Sequence, residues 1–404
     1  MAHAKKIVND SNRHREMGVC FVPFVIKDAK GCYIEDIAGK KYLDFNSQIC
    51  TQNIGYGRPE IKRIIREYSK LGIYKIAGSD FYCEEALELA KKALSIAPSN
   101  MEKVFLVNSG AEAVENCIKL AYRKKGPYAG LSTKMAFHGR TLGALTYTES
   151  KEIQKRNYPE LTNHIIEFCT EDDDPEIHEL EDFLKRESPP AFVIVEPVQG
   201  EGGYRPASKK FMRTLRKITR ENDIPLIFDE IQSGMGRTGK WWAHEHYGVK
   251  PELMASAKSL NVGAAFTTKK YSTGECGAIS STWGGGHRID LAVGSKVIEI
   301  IKKERLLKNA ERMGNYMKKR FEELMEKYFE LIVEVRGLGL MIGVEMDREA
   351  NANKVVQDAF KNGLLIMPCG DKSIRIAPPL IIDEGLADRG IDIFEKCLKL
   401  CSTE

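Results

Sequence analysis

"IPLIFDEIQSG", residues 224–234, decides how this chain is read. Leu226, Ile227 and Phe228 form an unbroken apolar run, the pattern of a strand covered on both faces. Asp229 and Glu230 follow with no turn residue between them. A carboxylate at the rim of a core is costly unless something cationic meets it, so the run implies a cation close to the strand end. Neighbours on a strand face opposite ways, and Glu230 is assigned no chemistry.

Outward from this stretch, short apolar runs alternate with helical patterns between about residues 60 and 290. The runs are "KVFLVNSG" (103–110), "TKMAF" (133–137), "GALTYT" (143–148), "HIIEF" (164–168), "AFVIVEP" (191–197) and "IPLIFDE" (224–230). Such alternation predicts an α/β fold whose large domain has a mostly parallel sheet flanked by helices. After residue 288 a helical face of Val293, Val297, Ile300 and Ile301 leads into a long charged helix. Short strands at "LIVEVRG", "LMIGVEM", "LLIMP" and "SIRIAPPLI" follow, then a last helix, which together read as a smaller α+β domain. "YIEDIAGKKYLDF" (33–45) reads as a hairpin. The expected division is 1–58, packing with the small domain, then 59–288 and 289–404.

Length and composition suit this plan. The chain has 404 residues, 43% hydrophobic and 29% charged, with a net charge of +4 spread along its length. That balance gives little support to nucleic-acid or membrane partners. Ten cysteines are scattered with no CxxC pair, which reads as free thiols in a reducing compartment. The start, "MAHAKKIVND", lacks the apolar core of a signal peptide, and no run approaches the length of a membrane helix, so a cytoplasmic location is expected. No His/Cys quartet or HExxH spacing suggests a metal, and no GxSxG elbow offers a hydrolase nucleophile.

Several motifs admit both a chemical and a plain structural reading. "GMGRTGKW" (234–241) satisfies the GxxxxGK part of a nucleotide-binding P-loop, but Trp241 stands where Ser or Thr would hold Mg²⁺. "VNSGAEAVENCIKLAYR" (107–123) runs a strand into Ser109, Gly110 and Ala111 and then a helix, a place for phosphate on free N–H groups. Ser109 also suits a plain N-cap, with Glu112 completing a capping box. Phe137, His138 and Arg140 gather at another strand end, where such sheets bind ligands, or are core and surface residues. Glu201 stands isolated among glycines, near a ligand or in a plain loop. Lys258, 29 residues after Asp229, is either a snorkelling surface lysine or the remaining cationic candidate.

Taken together, the ordered stretches "NSGAEAVENCIKLAYR", "FHGRTLGALTYT", "VEPVQGEGGY", "LIFDEIQSGMGRTGKWWAHEHYGVKPELMASAKSL", "SSTWGG", "VRGLGLMIGVE" and "IRIAPPLII" resemble the class III, or omega, aminotransferases. These carry pyridoxal 5′-phosphate on fold type I. The resemblance implies that Lys258 holds the cofactor as an imine and then acts as general base, and that Asp229 faces the pyridine nitrogen. It further implies that Gln232 touches the phenolic oxygen, that Ser109, Gly110 and Ala111 bind phosphate, that Phe137 stacks on the ring and that His138 belongs to the same cofactor set. Thr282 of "SSTWGG" would reach the partner's phosphate across a homodimer with shared active sites; further pairing into a tetramer is left open. Arg375 would grip an α-carboxylate, Glu201 would pair with Arg375 when none is present, and Arg140 would take a far carboxylate.

The implied activity moves an amino group from a lysine-, ornithine- or 4-aminobutyrate-like amino acid to 2-oxoglutarate. "SSTWGG" is closest to lysine 6-aminotransferases. An amino-acid racemase or epimerase of the same family is the alternative, and a P-loop nucleotide-binding protein built on Gly234 to Lys240 a remote one.

Overall fold

A computed structural model describes residues 2–16, 24–78, 80–177, 180, 183, 189–279 and 283–402. The large sheet has seven strands: β1 (Lys103–Val107), β2 (Gly130–Thr133), β3 (Asn163–Ile166), β4 (Phe192–Val195), β5 (Leu226–Asp229), β6 (Leu253–Ser256) and β7 (Gly263–Thr267). Their order across the sheet is β1-β7-β6-β5-β4-β2-β3, and only β7 runs against the rest. Strands β4, β5, β6 and β7 are buried at every residue, which is why β4 and β5 read as continuous apolar runs; β6 and β7 lie outside the runs read from the sequence.

The pleat of β5 separates two cores. Ile227 packs with Val114 and Ile118 of helix Gly110–Lys125 on one face. Leu226 and Phe228 pack on the other, with Phe211, Leu215 and Ile218 of helix Lys209–Glu221. Asp229 therefore shares the side of Ile227, and Glu230 the opposite one.

A four-stranded antiparallel sheet, Ile332–Leu338, Met341–Met346, Ser373–Ile376 and Met367–Cys369 in spatial order, is covered by helices Leu306–Lys327 and Glu349–Lys361, on which helix Glu384–Ser402 packs in turn. The hairpin forms where the sequence places it, pairing Tyr33 with Leu43 and Ile34 with Tyr42. The stretch "LLIMP" divides between two sheets: Leu364–Leu365 pairs with Leu43 and Asp44 of the hairpin, while Met367–Cys369 pairs with Ser373–Ile376.

Two local expectations are corrected, and the objection that Trp241 raises to a P-loop is upheld. "GALTYT" is not a strand; Leu142–Thr146 is a short helix. A tertiary contact decides this, because the Glu115 carboxylate accepts from Thr141 Oγ1 and from the Ala144 N–H in its first turn. The strand placed at "TKMAF" lies earlier, at Gly130–Thr133, and Met135 with φ +61 forbids its extension. "GMGRTGKW" is not a P-loop. No α-helix opens behind it, and Gly236 and Gly239 (φ +91 and +87) turn the chain so that Arg237 points into the core.

Arg237 is fully buried. It donates to the carbonyls of Leu340 and Pro378, to Ser47 Oγ and to Asn53 Oδ1, so one guanidinium ties the N-terminal segment, the glycine loop and the C-terminal sheet together. Among the described residues no helix is long and apolar enough to cross a membrane, and the nine described cysteines are free.

Candidate active site

The carboxyl ends of β1, β4, β5 and β6 open into a cavity of about 440 Å³. Ser109, Gly110, Ala111, Phe137, His138, Arg140, Asp229, Gln232 and Lys258, spread over 150 residues of sequence, all line it. Ligands gather at this edge of parallel sheets because the strand ends and helix N-termini converge there. Thr282 lies outside the described residues.

At the β1 end, Ser109 is the N-cap of helix Gly110–Lys125, its Oγ accepting from Glu112 N at 3.2 Å. The Glu112 carboxylate reaches back to Asn108 N at 2.7 Å. The N-cap half of the structural reading holds, with Glu112 bonding Asn108 N where a capping box would bond Ser109 N, and it leaves the chemical reading intact. The first-turn N–H groups of Gly110 and Ala111 have no acceptor within the helix, at its positive dipole end, on the cavity wall.

Asp229 ends β5 with only 4% exposure. Its Oδ1 accepts from Ile231 N at 3.0 Å, and its Oδ2 lies 2.9 Å from His138 Nδ1. A carboxylate facing Nδ1 requires the proton on that nitrogen, so His138 donates to Asp229 while its buried Nε2 finds no partner. No Lys or Arg side chain bonds to Asp229 among the described residues, so the wall presents negative charge to the cavity. Gln232 is oriented by Tyr204, whose hydroxyl donates to Oε1 at 2.9 Å. Its Nε2 is thereby left as a donor.

Lys258 follows β6 after Ala257 and lines the cavity half-buried. Its φ of +31 is a left-handed conformation that side chains rarely adopt. Withdrawal from water, with the charge of Arg375 adding, holds its amine below the ordinary lysine value, although Cys50, Glu201 and Asp229 oppose this. Lowering favours the unprotonated form, the one that acts as nucleophile and base.

Arg375 of the small sheet meets Glu201 in a two-pronged pair, Nη1 to Oε1 at 2.9 Å and Nη2 to Oε2 at 2.8 Å. Burial alone would raise the Glu201 carboxyl; the charge and hydrogen bonds of Arg375 outweigh it and bring the carboxyl down to about 2. Arg140 stands exposed at the rim, its guanidinium 5.5 Å from the Phe137 ring centre.

Sequence reasoning missed three features. Glu196 and Tyr204 stand in the quoted "VEPVQGEGGY" yet received no role. The third is a left-handed turn: Ser47, Gln48, Ile49 and Cys50 have φ of 43, 52, 56 and 63. Left-handed helical backbone costs roughly 1–2 kcal/mol per residue, and no glycine advertises it. Asp44 Oδ1, accepting from Asn46 N and Ser47 N, and Arg237 on Ser47 Oγ hold it in place. The turn sets Cys50 Sγ 3.5 Å from Tyr204 OH. Glu230, by contrast, accepts from Ser233 Oγ, Ala243 N and His244 N and holds the following loop.

The cavity therefore offers helix N–H groups for an anion, an aromatic face, a buried carboxylate awaiting a cation and an amine of lowered basicity. Comparison with known proteins accords with that set. The family model for aminotransferase class-III matches residues 15–398. The acetylornithine aminotransferase of Archaeoglobus fulgidus is 35% identical over 377 residues, covering 91% of this chain and 94% of that protein. That of Methanocaldococcus jannaschii is 34% identical over 387 residues, 93% of each. The ornithine aminotransferase structure from Toxoplasma gondii superposes with a TM-score of 0.89 at 25% identity, covering 99% of this chain and 96% of that one. A lysine aminotransferase from M. tuberculosis, 24% identical with a TM-score of 0.90 over 98% of this chain and 99% of that one, shares the fold. The chain belongs to the class-III aminotransferase family, pyridoxal-phosphate enzymes of fold type I.

Proposed function

We propose that this aminotransferase takes the terminal amino group of an ornithine-, acetylornithine-, lysine- or 4-aminobutyrate-like donor and delivers it to 2-oxoglutarate. The observation that carries this reading is the Glu201–Arg375 pair. A permanently exposed arginine would favour α-carboxylates in both half-reactions. An arginine covered by a displaceable carboxylate accepts a donor that has no carboxylate at its reacting carbon, and then a keto acid that has one. The names of the acetylornithine relatives support a donor of this shape.

The residues present fit pyridoxal 5′-phosphate. Asp229 lacks a cationic side chain and suits a protonated ring nitrogen; Gly110 and Ala111 N–H groups, with Ser109, suit the phosphate. Phe137 supplies the stacking face, His138 steadies Asp229, and Gln232 Nε2 suits the phenolic oxygen. When bound, the cofactor serves as an electron sink for the pair left by the departing proton. Lys258 is the amine that would tether it, and its Nζ would carry that proton as the general base. Arg140 at the rim suits the far carboxylate of the donor.

The same reading includes a homodimer in the cytoplasm, with Thr282 completing the partner's phosphate site. Its support is an exposed apolar surface of Ile73, Tyr74, Phe81, Tyr82, Leu87 and Trp283, the last adjacent in sequence to Thr282. Sedimentation velocity on a Phe81→Asp, Tyr82→Asp protein checks it by showing monomers.

A panel of lysine, ornithine, N-acetylornithine, 4-aminobutyrate and alanine, each with 2-oxoglutarate, tests the activity. The expected products are a terminal aldehyde and glutamate from at least one terminal-amine donor. An α-keto acid product from every active donor contradicts the reading. So does racemisation of a single enantiomer, without keto acid, at the rate of amino transfer.

A further inference from the structure

Glu196 follows β4 directly, beside Asp229 at the end of the neighbouring β5, and it is 4% exposed. Its Oε1 accepts from the backbone N–H of Phe137 at 2.9 Å, and its Oε2 from that of Gly200 at 2.8 Å. No side-chain cation bonds to it among the described residues. One carboxyl group therefore joins the backbone beneath the ring-facing aromatic to the backbone immediately before Glu201.

The far side of that hinge is equally constrained. Gly200 packs against the Gln232 amide, which fills the space a Cβ would take. Glu201 O accepts from Gly370 N at 2.6 Å. The Glu201 main chain thus hangs between two fixed points, Gly200 held by Glu196 and Gly370 of the small sheet's loop. Only the side chain is left to swing away from Arg375. Burial, with the charge of Asp229 adding, raises the Glu196 carboxyl from 4.5 to about 8.

We infer that Glu196 is a positioning residue that fixes the pivot of Glu201, and through it the enzyme's discrimination between donors with and without a carboxylate at the reacting carbon. This rests on the proposed switching of the Glu201–Arg375 pair. Glutamine in its place keeps one carbonyl acceptor and turns an NH₂ group against the other N–H, freeing one loop while preserving volume.

The test measures the two half-reactions separately on holoenzyme, following the visible band of the bound cofactor with a terminal-amine donor and with glutamate. In Glu196→Gln the ratio of kcat/KM for the terminal-amine donor to that for glutamate should fall at least fivefold, with cofactor content unchanged. In a Glu201→Gln background the same substitution should change the ratio less than twofold, since residues acting as a unit are not additive. An unchanged ratio in the single variant overturns the inference, as does the full effect persisting in the Glu201→Gln background. If Glu196→Gln does not fold with its cofactor, Glu196→Asp, too short to hold both loops, is judged by the same two criteria. Failure of the underlying reading shows differently, as a wild-type enzyme with no reaction toward any terminal-amine donor.

Discussion

Two glycine-bearing loops follow strands of the large sheet, and they have opposite fates. "NSGAEA" after β1 has a single glycine, whereas "SGMGRTGKW" after β5 has three and a lysine in the P-loop position. The poorer motif lines the cavity with free helix N–H groups; the richer one wraps a buried arginine. What separates them is the element behind. A helix of 16 residues opens at Gly110 and supplies a dipole end, while only a single 3₁₀ turn follows Trp242. Glycine count reports backbone freedom, and the following element decides whether that freedom faces a ligand or a core. Asp229 and Glu230, adjacent at the end of β5, repeat the lesson: the pleat sends one carboxylate to the cavity and the other to the loop.

Substitutions at these positions should separate chemistry from architecture. Asp229→Asn is expected to cost roughly a hundredfold or more in kcat, with a melting temperature within a few degrees of wild type; a folded, fully active variant breaks the assignment. Arg237→Ala, in the other loop, is expected to lower stability by about 3–5 kcal/mol, since it strands buried acceptors from three chain segments. Denaturant titration measures that loss, and the fraction still folded should bind cofactor normally.

A smaller effect is expected from Glu230→Gln. Burial raises the Glu230 carboxyl from 4.5 to about 7, so the folded state binds a proton that the unfolded chain has lost. The stability this contributes is full below pH 4.5 and is lost as pH rises through 7. Melting temperatures across this range should fall less steeply in the variant than in wild type. Smallest of all is Lys240→Ala: this lysine is exposed, and kcat/KM should change less than twofold, whereas a P-loop lysine would be indispensable.

Much of this was legible in the chain. The β5 run and the carboxylate at its end pointed to a cationic partner, and period-two alternation placed Glu230 on the other face. The same signal stood in "AFVIVEP", where Glu196 ends a buried strand just as abruptly, and reading it alike would have found that residue. What could not be read depends on distant partners. The helix at Leu142–Thr146 exists because Glu115 caps it, against a local composition that suits a strand. Arg237 is buried because carbonyls at 340 and 378 and side chains at 47 and 53 converge on it. The left-handed turn at Ser47–Cys50 has no glycine to signal it and is imposed by Asp44, Arg237 and the packing of Cys50.

The most direct test of the account is borohydride reduction of the holoenzyme, followed by proteolysis and mass spectrometry of the lysine peptides. The cofactor's visible band should disappear and the reduced phosphopyridoxyl group should be found on Lys258, with no labelled peptide from Lys258→Ala. Label on a different lysine, or covalent cofactor retained by Lys258→Ala, would contradict it.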